Sequence, residues 1–499
     1  MAKSFIHYQT IKGKQYASIY TPKRTNGKKD NQPKYLGKVI NKEQGIYQNT
    51  KQGTFKYTLK DGYTTPQQQQ PQNQTTTPPT KENLNLSFGD TYTLHQILQK
   101  NDYWNLLQNI LPNHADTLCS LLFYHLLRKG PNCYAHDWWT SSYTRILCPN
   151  AKLQSQRISE FLTLLGNEHI QRNFFKKYLA KISTDQKKHG ILLDSTGMQN
   201  DIEFPLTAPN THHGTTKNET RLILVIDRLT NLPLLYRYNA GNIVDVSTLK
   251  TTLLELGAYG VWIDFSIIDA GYCSQKNLQA LYDQNIGFIT RLKTNLKLYK
   301  ELIAAYGAGL ESLGNAVFYR DRLLYIKCVP TVVCGHEAYA YVALDHQRRS
   351  EEVYEFMRDA LEEDDLSVQE LDQRTLGLGV FVLLSSVRVD VSEILPLYYT
   401  RQMVEQVFDL YKNNVDLLPL RTHGEDTFRG HLMLSFLGVI VYMLVNGLLG
   451  GSRFCAEGAF RSLVNLRCSV FDDCILVKEA TKKNNEIAEH LKIEFPLKL

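Results

Sequence analysis

The sequence predicts an α/β protein: a sheet domain split by a β-rich insertion, with a helical domain and a small basic β-rich head before it. Three observations carry this. Residues 1–64 alternate short strand-like runs with Gly, Asn and Lys turns. Residues 86–185 place apolar side chains three and four apart. From residue 190 onward, apolar strand-like runs alternate with helical segments. The 499 residues are 43% hydrophobic and 21% charged, an ordinary globular composition that excludes collagen-like, wholly disordered and disulfide-dense chains.

The head (1–63) is read first from charge. The formal net charge is +6, yet residues 1–64 hold thirteen Lys and Arg against three acids, a surplus of ten. The rest of the chain is therefore slightly acidic. A basic head on such a body points to a polyanion partner met at one end. Its lysines, Lys23, Arg24, Lys28 and Lys29 among them, interleave with Tyr8, Tyr16, Tyr20, Tyr35, Tyr47, Phe55 and Tyr57. Lysines neutralise phosphates, and the aromatics either pack a small sheet or stack on bases. Expected strands are Gln15–Tyr20, Lys34–Ile40 and Thr54–Leu59. The next segment, 64–84, is dominated by Pro, Gln and Thr and reads as a disordered linker.

Residues 85–186 read as a helical DNA-binding domain. The first part of the sheet domain (187–295) then shows Gly190–Asp194, Leu222–Asp227, Pro233–Tyr238, Phe265–Asp269 and Gly287–Arg291 as strands, with helices at Val246–Leu256 and Ser274–Gln284. Several apolar runs end in a carboxylate, where ligands of open α/β sheets gather. A β-rich insertion (296–377) follows, then the second part (378–450) and a C-terminal helical region (451–499). The uncharged run Leu432–Leu449 is long enough to border on a membrane span, but a buried core helix is the expectation, and no membrane partner. Nine Cys without a CxxC pair suggest reduced thiols, and MAKSFIHYQT lacks a signal-peptide core. No set of His, Cys and acids has zinc spacing.

The segment LYYTRQMVEQVFDLYKNN carries the chemistry. On one helix at about 100° per residue, Tyr398, Arg401, Glu405 and Lys412 fall within about 60° of one another. Met403, Val404, Val407, Leu410 and Tyr411 take the opposite face. A carboxylate flanked by two cations and a phenol suits phosphate chemistry; a solvated face with an Arg–Glu pair is the plainer alternative.

The spacing Tyr-x2-Arg-x3-Glu-x6-Lys resembles the signature of bacterial and archaeal insertion-sequence transposases of the fourth family, which have a ribonuclease H-like DDE core. The resemblance implies two further carboxylates: Asp194 in ILLDSTG and Asp269 in IIDAGYCSQKNL. Asp227 also ends a strand and is the rival to Asp194. By this resemblance Asp194, Asp269 and Glu405 are catalytic and hold two Mg²⁺, with Mn²⁺ an alternative ion, for cleavage of transposon ends and joining of their 3′-OH groups to target DNA. Tyr398, Arg401 and Lys412 would meet the transposon end. Arg421, His423 and Arg429, with His431 nearby, are weaker DNA contacts, and a solvated loop with a helix cap is their alternative. The implied partners are double-stranded DNA and a second copy in a synaptic homodimer, at the nucleoid in the cytoplasm of a prokaryote. Rival functions are a catalytically silent DNA-binding derivative and a metal-dependent nuclease that cuts without joining. Several relatives hold a flipped base with a Trp in the insertion. No Trp lies within 295–380 here, so Phe318 and Tyr319 are the candidates in its place.

Overall fold

The computed structural model describes residues 4–11, 13–21, 23–25, 28–30, 33–49, 53–60, 62–64, 84–183, 188–199, 204, 206–212, 215–243, 245–360, 375, 377–410 and 424–499. The chain divides into two compact units, residues 1–80 and 81–499.

The head is an antiparallel meander. Its strands are β1 (Phe5–Ile11), β2 (Lys14–Tyr20), β3 (Lys23–Thr25), β4 (Lys28–Asp30), β5 (Lys34–Asn41), β6 (Ile46–Asn49), β7 (Gly53–Thr58) and β8 (Gly62–Thr64). The sheet order is β1-β2-β5-β6-β7-β8, and β3 and β4 pair as a separate ribbon. Ala17, Ile19, Leu36, Tyr47 and Phe55 form its core.

The larger unit opens with β9 (Leu84–Ser87) and seven α-helices between Gly89 and Ile182. Ten strands then build one sheet: β10 (His189–Gln199), β11 (Ala208–His212), β12 (Thr215–Asp227), β13 (Pro233–Ala240), β14 (Ile263–Ile268), β15 (Gly287–Arg291), β16 (Ala316–Tyr319), β17 (Arg322–Val333), β18 (His336–Asp345) and β19 (Val380–Ser385). At its centre the order is β13-β12-β10-β14-β15. β10, β14 and β15 are parallel, whereas β12 runs antiparallel to both of its neighbours, β10 and β13. Ile191, Leu192 and Leu193 are fully buried, as expected of a central strand covered on both faces. Helices Leu249–Ala258 and Gln275–Asp283 are the α units of this β-α-β-α-β order.

The long helix Glu425–Leu448 would satisfy the length and apolarity of a membrane span, but it is a core helix here. Phe436 on it meets Phe174, Phe175, Tyr178 and Tyr236 at 5.1–6.4 Å between ring centroids. It crosses helix Ser155–Leu165 at close range. A Cβ on Gly430 would stand 1.9 Å from the Leu162 carbonyl oxygen, and one on Gly166 would stand 1.7 Å from that of Asp426. Only glycines permit this crossing.

The structure departs from the sequence expectations in three places. The insertion is not purely β: its strands widen the central sheet, with β18 paired to β19, β19 to β15, and β17 and β16 following. It also carries helices Lys297–Tyr306 and His346–Ala360. The C-terminal region contains strands β20 (Arg467–Val470) and β21 (Ile475–Val477) beside its helices, and β20 pairs with β9. Third, the signature helix is broken. Ile394–Tyr399 and Gln402–Asp409 are joined by i→i−3 hydrogen bonds, from Arg401 N to Tyr398 O and from Val404 N to Arg401 O. The linker lies outside the described residues apart from its two ends.

Candidate active site

Parallel pairing places the two aspartates. Leu193 of β10 lies opposite Ile268 of β14, so the next residues, Asp194 and Asp269, emerge side by side on strands about 5 Å apart. Asp194 does not end its strand, since β10 continues along β12 to Gln199. It stands where the pairing with β14 stops. Its Oδ1 accepts from the Ser195 backbone N–H at 2.8 Å. Asp269 starts the tight turn Ala270–Tyr272 and accepts from Gly271 N–H at 3.1 Å. The segment around Arg401 and Glu405 brings the third carboxylate over this edge.

Arg401 joins the three. Its Nη1 donates to Asp194 Oδ2 at 2.7 Å and lies 3.1 Å from Asp269 Oδ1, and its Nη2 lies 3.6 Å from Glu405 Oε1. Glu405 is the most solvent-exposed of the three carboxylates. The Arg401 guanidinium sits over the Tyr398 ring at 5.7 Å. Burial opposes the arginine's charge, but the fields of Asp194, Tyr398, Asp269 and Glu405 outweigh it and raise its pKa. Arg401 is thus a single cation among the three carboxylates Asp194, Asp269 and Glu405. Hard carboxylate oxygens converging on a cationic point suit a divalent ion such as Mg²⁺. As the side chains stand, Arg401 occupies that point. Among the described residues no three His, Cys, Asp or Glu side chains close directly on a common metal position.

Tyr398 was expected to face DNA. It is instead 4% exposed, and burial pushes its phenol up to about 12. The cause is the i→i−3 turn: at three residues per turn, positions 398 and 401 eclipse, so Tyr398 lies beneath Arg401. Arg401 is likewise no free phosphate clamp, because the carboxylates engage it. Arg429 is held by Glu425 at 2.5 Å in an i,i+4 ion pair within its own helix. Lys412, Arg421 and His423 lie outside the described residues. Lys23 and Arg24 are on β3, and Lys28 and Lys29 on β4.

Asp227, the rival carboxylate, has a different surrounding. It lies on β12 across from Ile191, three residues before Asp194 on β10. His189 Nδ1 is 2.7 Å from its Oδ2, and its Oδ1 accepts from Leu229 N, Thr230 N and Thr230 Oγ1 at 3.1, 2.8 and 2.8 Å. Burial raises its pKa, but the bonds from His189 and Thr230 prevail and lower it. It closes the β12–β13 turn.

The sequence reading missed two cations near the acidic edge. Arg291 follows Thr290, which pairs with Ile268, so it stands next to Asp269 along the edge. Lys293 donates from Nζ to the Gly271 carbonyl at 3.3 Å. The run TRLK at the end of the third parallel strand was the available signal. In the insertion, Arg320 donates to Gln402 Oε1 at 2.9 Å, and Tyr319 stacks on Tyr399 at 5.3 Å, so the β16–β17 hairpin reaches the Glu405 helix. Phe318 is 81% exposed on that hairpin, not a core residue.

The Transposase DDE domain family matches residues 185–444, just over half the chain, and spans all three carboxylates. The chain belongs to this family. It is a DNA transposase of the DDE type. A solved structure similar to this transposase is the cryo-EM structure of piggyBac transposase in a synaptic complex with hairpin DNA. It shares 11% identity over 70% of each chain, with a TM-score of 0.40. A search of curated proteins returns no match.

Proposed function

We propose that this DDE transposase cleaves the ends of its own mobile element and joins their 3′-OH groups to target DNA, with Asp194, Asp269 and Glu405 as the catalytic carboxylates. The observation that carries the reading is the convergence of these three side chains, distant in sequence, on one guanidinium at the end of the parallel strands. The order β13-β12-β10-β14-β15, with β10, β14 and β15 parallel, supports a ribonuclease H-like core. The signature spacing supports membership of the insertion-sequence group.

The three carboxylates would hold divalent cations, two per site, Mg²⁺ or Mn²⁺. When bound, these supply charge stabilisation to the entering and leaving oxygens of phosphoryl transfer. The chain's own groups do the rest. Asp194 and Asp269 are fixed by strand register and by backbone N–H donors, so their oxygens are already oriented. Arg401, seated on Tyr398, balances part of their charge and orients Glu405. Arg291 and Lys293 are the cations that meet phosphates beside the site, Lys412 is assigned the same role from the signature spacing alone, and Phe318 is an exposed ring on the hairpin that reaches the Glu405 helix. The basic head adds sequence-independent DNA affinity. Two ends require two sites, so the working form is a homodimer on double-stranded DNA. The nine unpaired cysteines accord with a reducing cytoplasm.

The test is a strand-transfer assay on labelled element ends with Mg²⁺. Cleavage followed by joining supports the transposase reading. Cleavage without joining would make the chain a nuclease, and binding without either would make it a silent derivative.

A further inference from the structure

We propose that the outer face of the head is a stacking platform for unpaired bases of single-stranded nucleic acid. This rests on the head as a nucleic-acid module and adds the strand state it selects. Ala17 and Ile19 of β2 point into the head's core. Side chains alternate along a strand, so Tyr16, Ser18 and Tyr20 point outward. Residues directly opposite on neighbouring strands share a face. The outward partners on β1 are therefore Gln9, His7 and Phe5. On β5, Tyr35 lies opposite Ser18 and Lys38 opposite Tyr16.

Tyr35 and Lys38 are three apart and would normally face opposite sides. A bulge between Ala17 and Ser18 adds one residue on β5 and returns both to the outer face. Gly37 makes it possible: its φ is +127°, and a Cβ there would meet the Gln48 carbonyl oxygen at 2.2 Å.

The result is a connected set of rings. Phe5 stacks on Tyr20 at 5.8 Å and 13°, His7 meets Tyr20 edge-on at 5.5 Å, and Tyr16 stacks on Tyr35 at 6.5 Å and 27°. Phe5 and Tyr35 are 49% and 57% exposed. The other rings of the head are used differently: Tyr47 and Phe55 fill the core, with Tyr8 and Tyr57 packed against it. Lys14, in phase with Tyr16, and Lys38, opposite Tyr16, share the face of the outer rings, whereas Lys34 sits over Tyr63.

Lysine beside exposed aromatics selects a polyanion that offers ring faces. A duplex hides its base faces inside its own stack and presents only edges and phosphates, so these rings gain little from it. An unpaired base, in DNA or RNA, offers a face to each ring.

The test uses the full-length protein and one fluorescent oligonucleotide sequence, unrelated to any element end, as single-stranded DNA, single-stranded RNA and duplex DNA. Anisotropy gives the affinities over a range of salt. The expected result is tighter binding of a single strand than of the duplex. The double variant Phe5→Ser/Tyr35→Ser should lose roughly ten- to a hundredfold on single strands and leave the duplex unchanged. Phe5→Tyr/Tyr35→Phe should bind as wild type, since it keeps the rings. Preference for RNA or for DNA supports the platform either way and names its strand. Equal wild-type affinity for single strand and duplex overturns the proposal, as does a serine variant that binds single strands normally or loses both forms equally. The underlying reading fails separately: Lys14→Ala/Lys38→Ala would then leave affinity and salt slope unchanged on every form.

Discussion

Two acidic sites adjoin strand β10, Asp194 with Asp269 and Glu405 midway along it and Asp227 of β12 with His189 near its start, and the two are built on opposite principles. At Asp227 the hydrogen-bonding capacity is met locally: His189 takes one oxygen, and the Thr230 turn takes the other. Burial is nearly complete, at 3% side-chain exposure, and the charge has an immediate partner. At Asp194, Asp269 and Glu405, one guanidinium serves three carboxylates, and exposure rises from 12% through 35% to 57% across them. A carboxylate that holds a fold is matched one to one. The carboxylates proposed for chemistry are grouped around one shared guanidinium and open to solvent on one side.

The largest expected effect lies at the crowded site. Asp269→Asn and Glu405→Gln keep shape and remove charge, so each should lower end cleavage at least roughly a thousandfold while end binding stays within a few-fold. A quantitative cleavage assay beside a gel-shift measurement checks both parts.

Arg401→Gln sharpens the comparison. It leaves three grouped carboxylates without their shared cation, which should cost about 3 kcal/mol of stability in metal-free buffer. Added Mg²⁺ or Mn²⁺ should restore more of the lost melting temperature in this variant than it adds to wild type, because the cation takes the vacated position. Denaturation with and without the ion measures this, and equal shifts would mean that Arg401 does not sit where a metal binds.

At the matched site, Asp227→Asn should cost about 2 kcal/mol and leave cleavage by the folded protein intact. The Asp227 pKa is lowered in the folded state. Its contribution is therefore fully present above the ordinary aspartate range and fades as pH falls through the lowered value. Acid unfolding curves should show this loss in wild type and not in the variant. A separate pH effect concerns His125, 2% exposed, whose pKa burial lowers to about 4. The unfolded chain takes up this proton below pH ~6.5 and the folded chain only near 4, so stability falls by up to about 1.4 kcal/mol per pH unit across that window. His125→Phe should flatten the slope.

Much of this contrast was legible in the residues. ILLD and FSIID are apolar runs that can only be central strands, and their terminal acids mark one edge. The uncharged 432–449 run reads as a helix whatever surrounds it. What was not legible depends on partners remote in sequence. Nothing in APNTH marks a strand; β11 exists because β12 pairs with it. The insertion's hairpins look self-contained, yet β18 joins β19 through register alone. On a helical wheel Arg401 can reach Glu405, but its stronger bonds go to Asp194, 207 residues away, and to Asp269. Tyr398 was misplaced because the wheel assumes an unbroken helix, and the turn at Thr400 tightens it.

The most direct measurement sets the two aspartates against each other in one assay: Mg²⁺-dependent cleavage of labelled element ends by purified Asp194→Asn and Asp227→Asn, each confirmed folded. The account predicts no cleavage by Asp194→Asn and wild-type-like cleavage by Asp227→Asn. Cleavage by Asp194→Asn together with its loss in Asp227→Asn would move the active site to Asp227 and contradict the account.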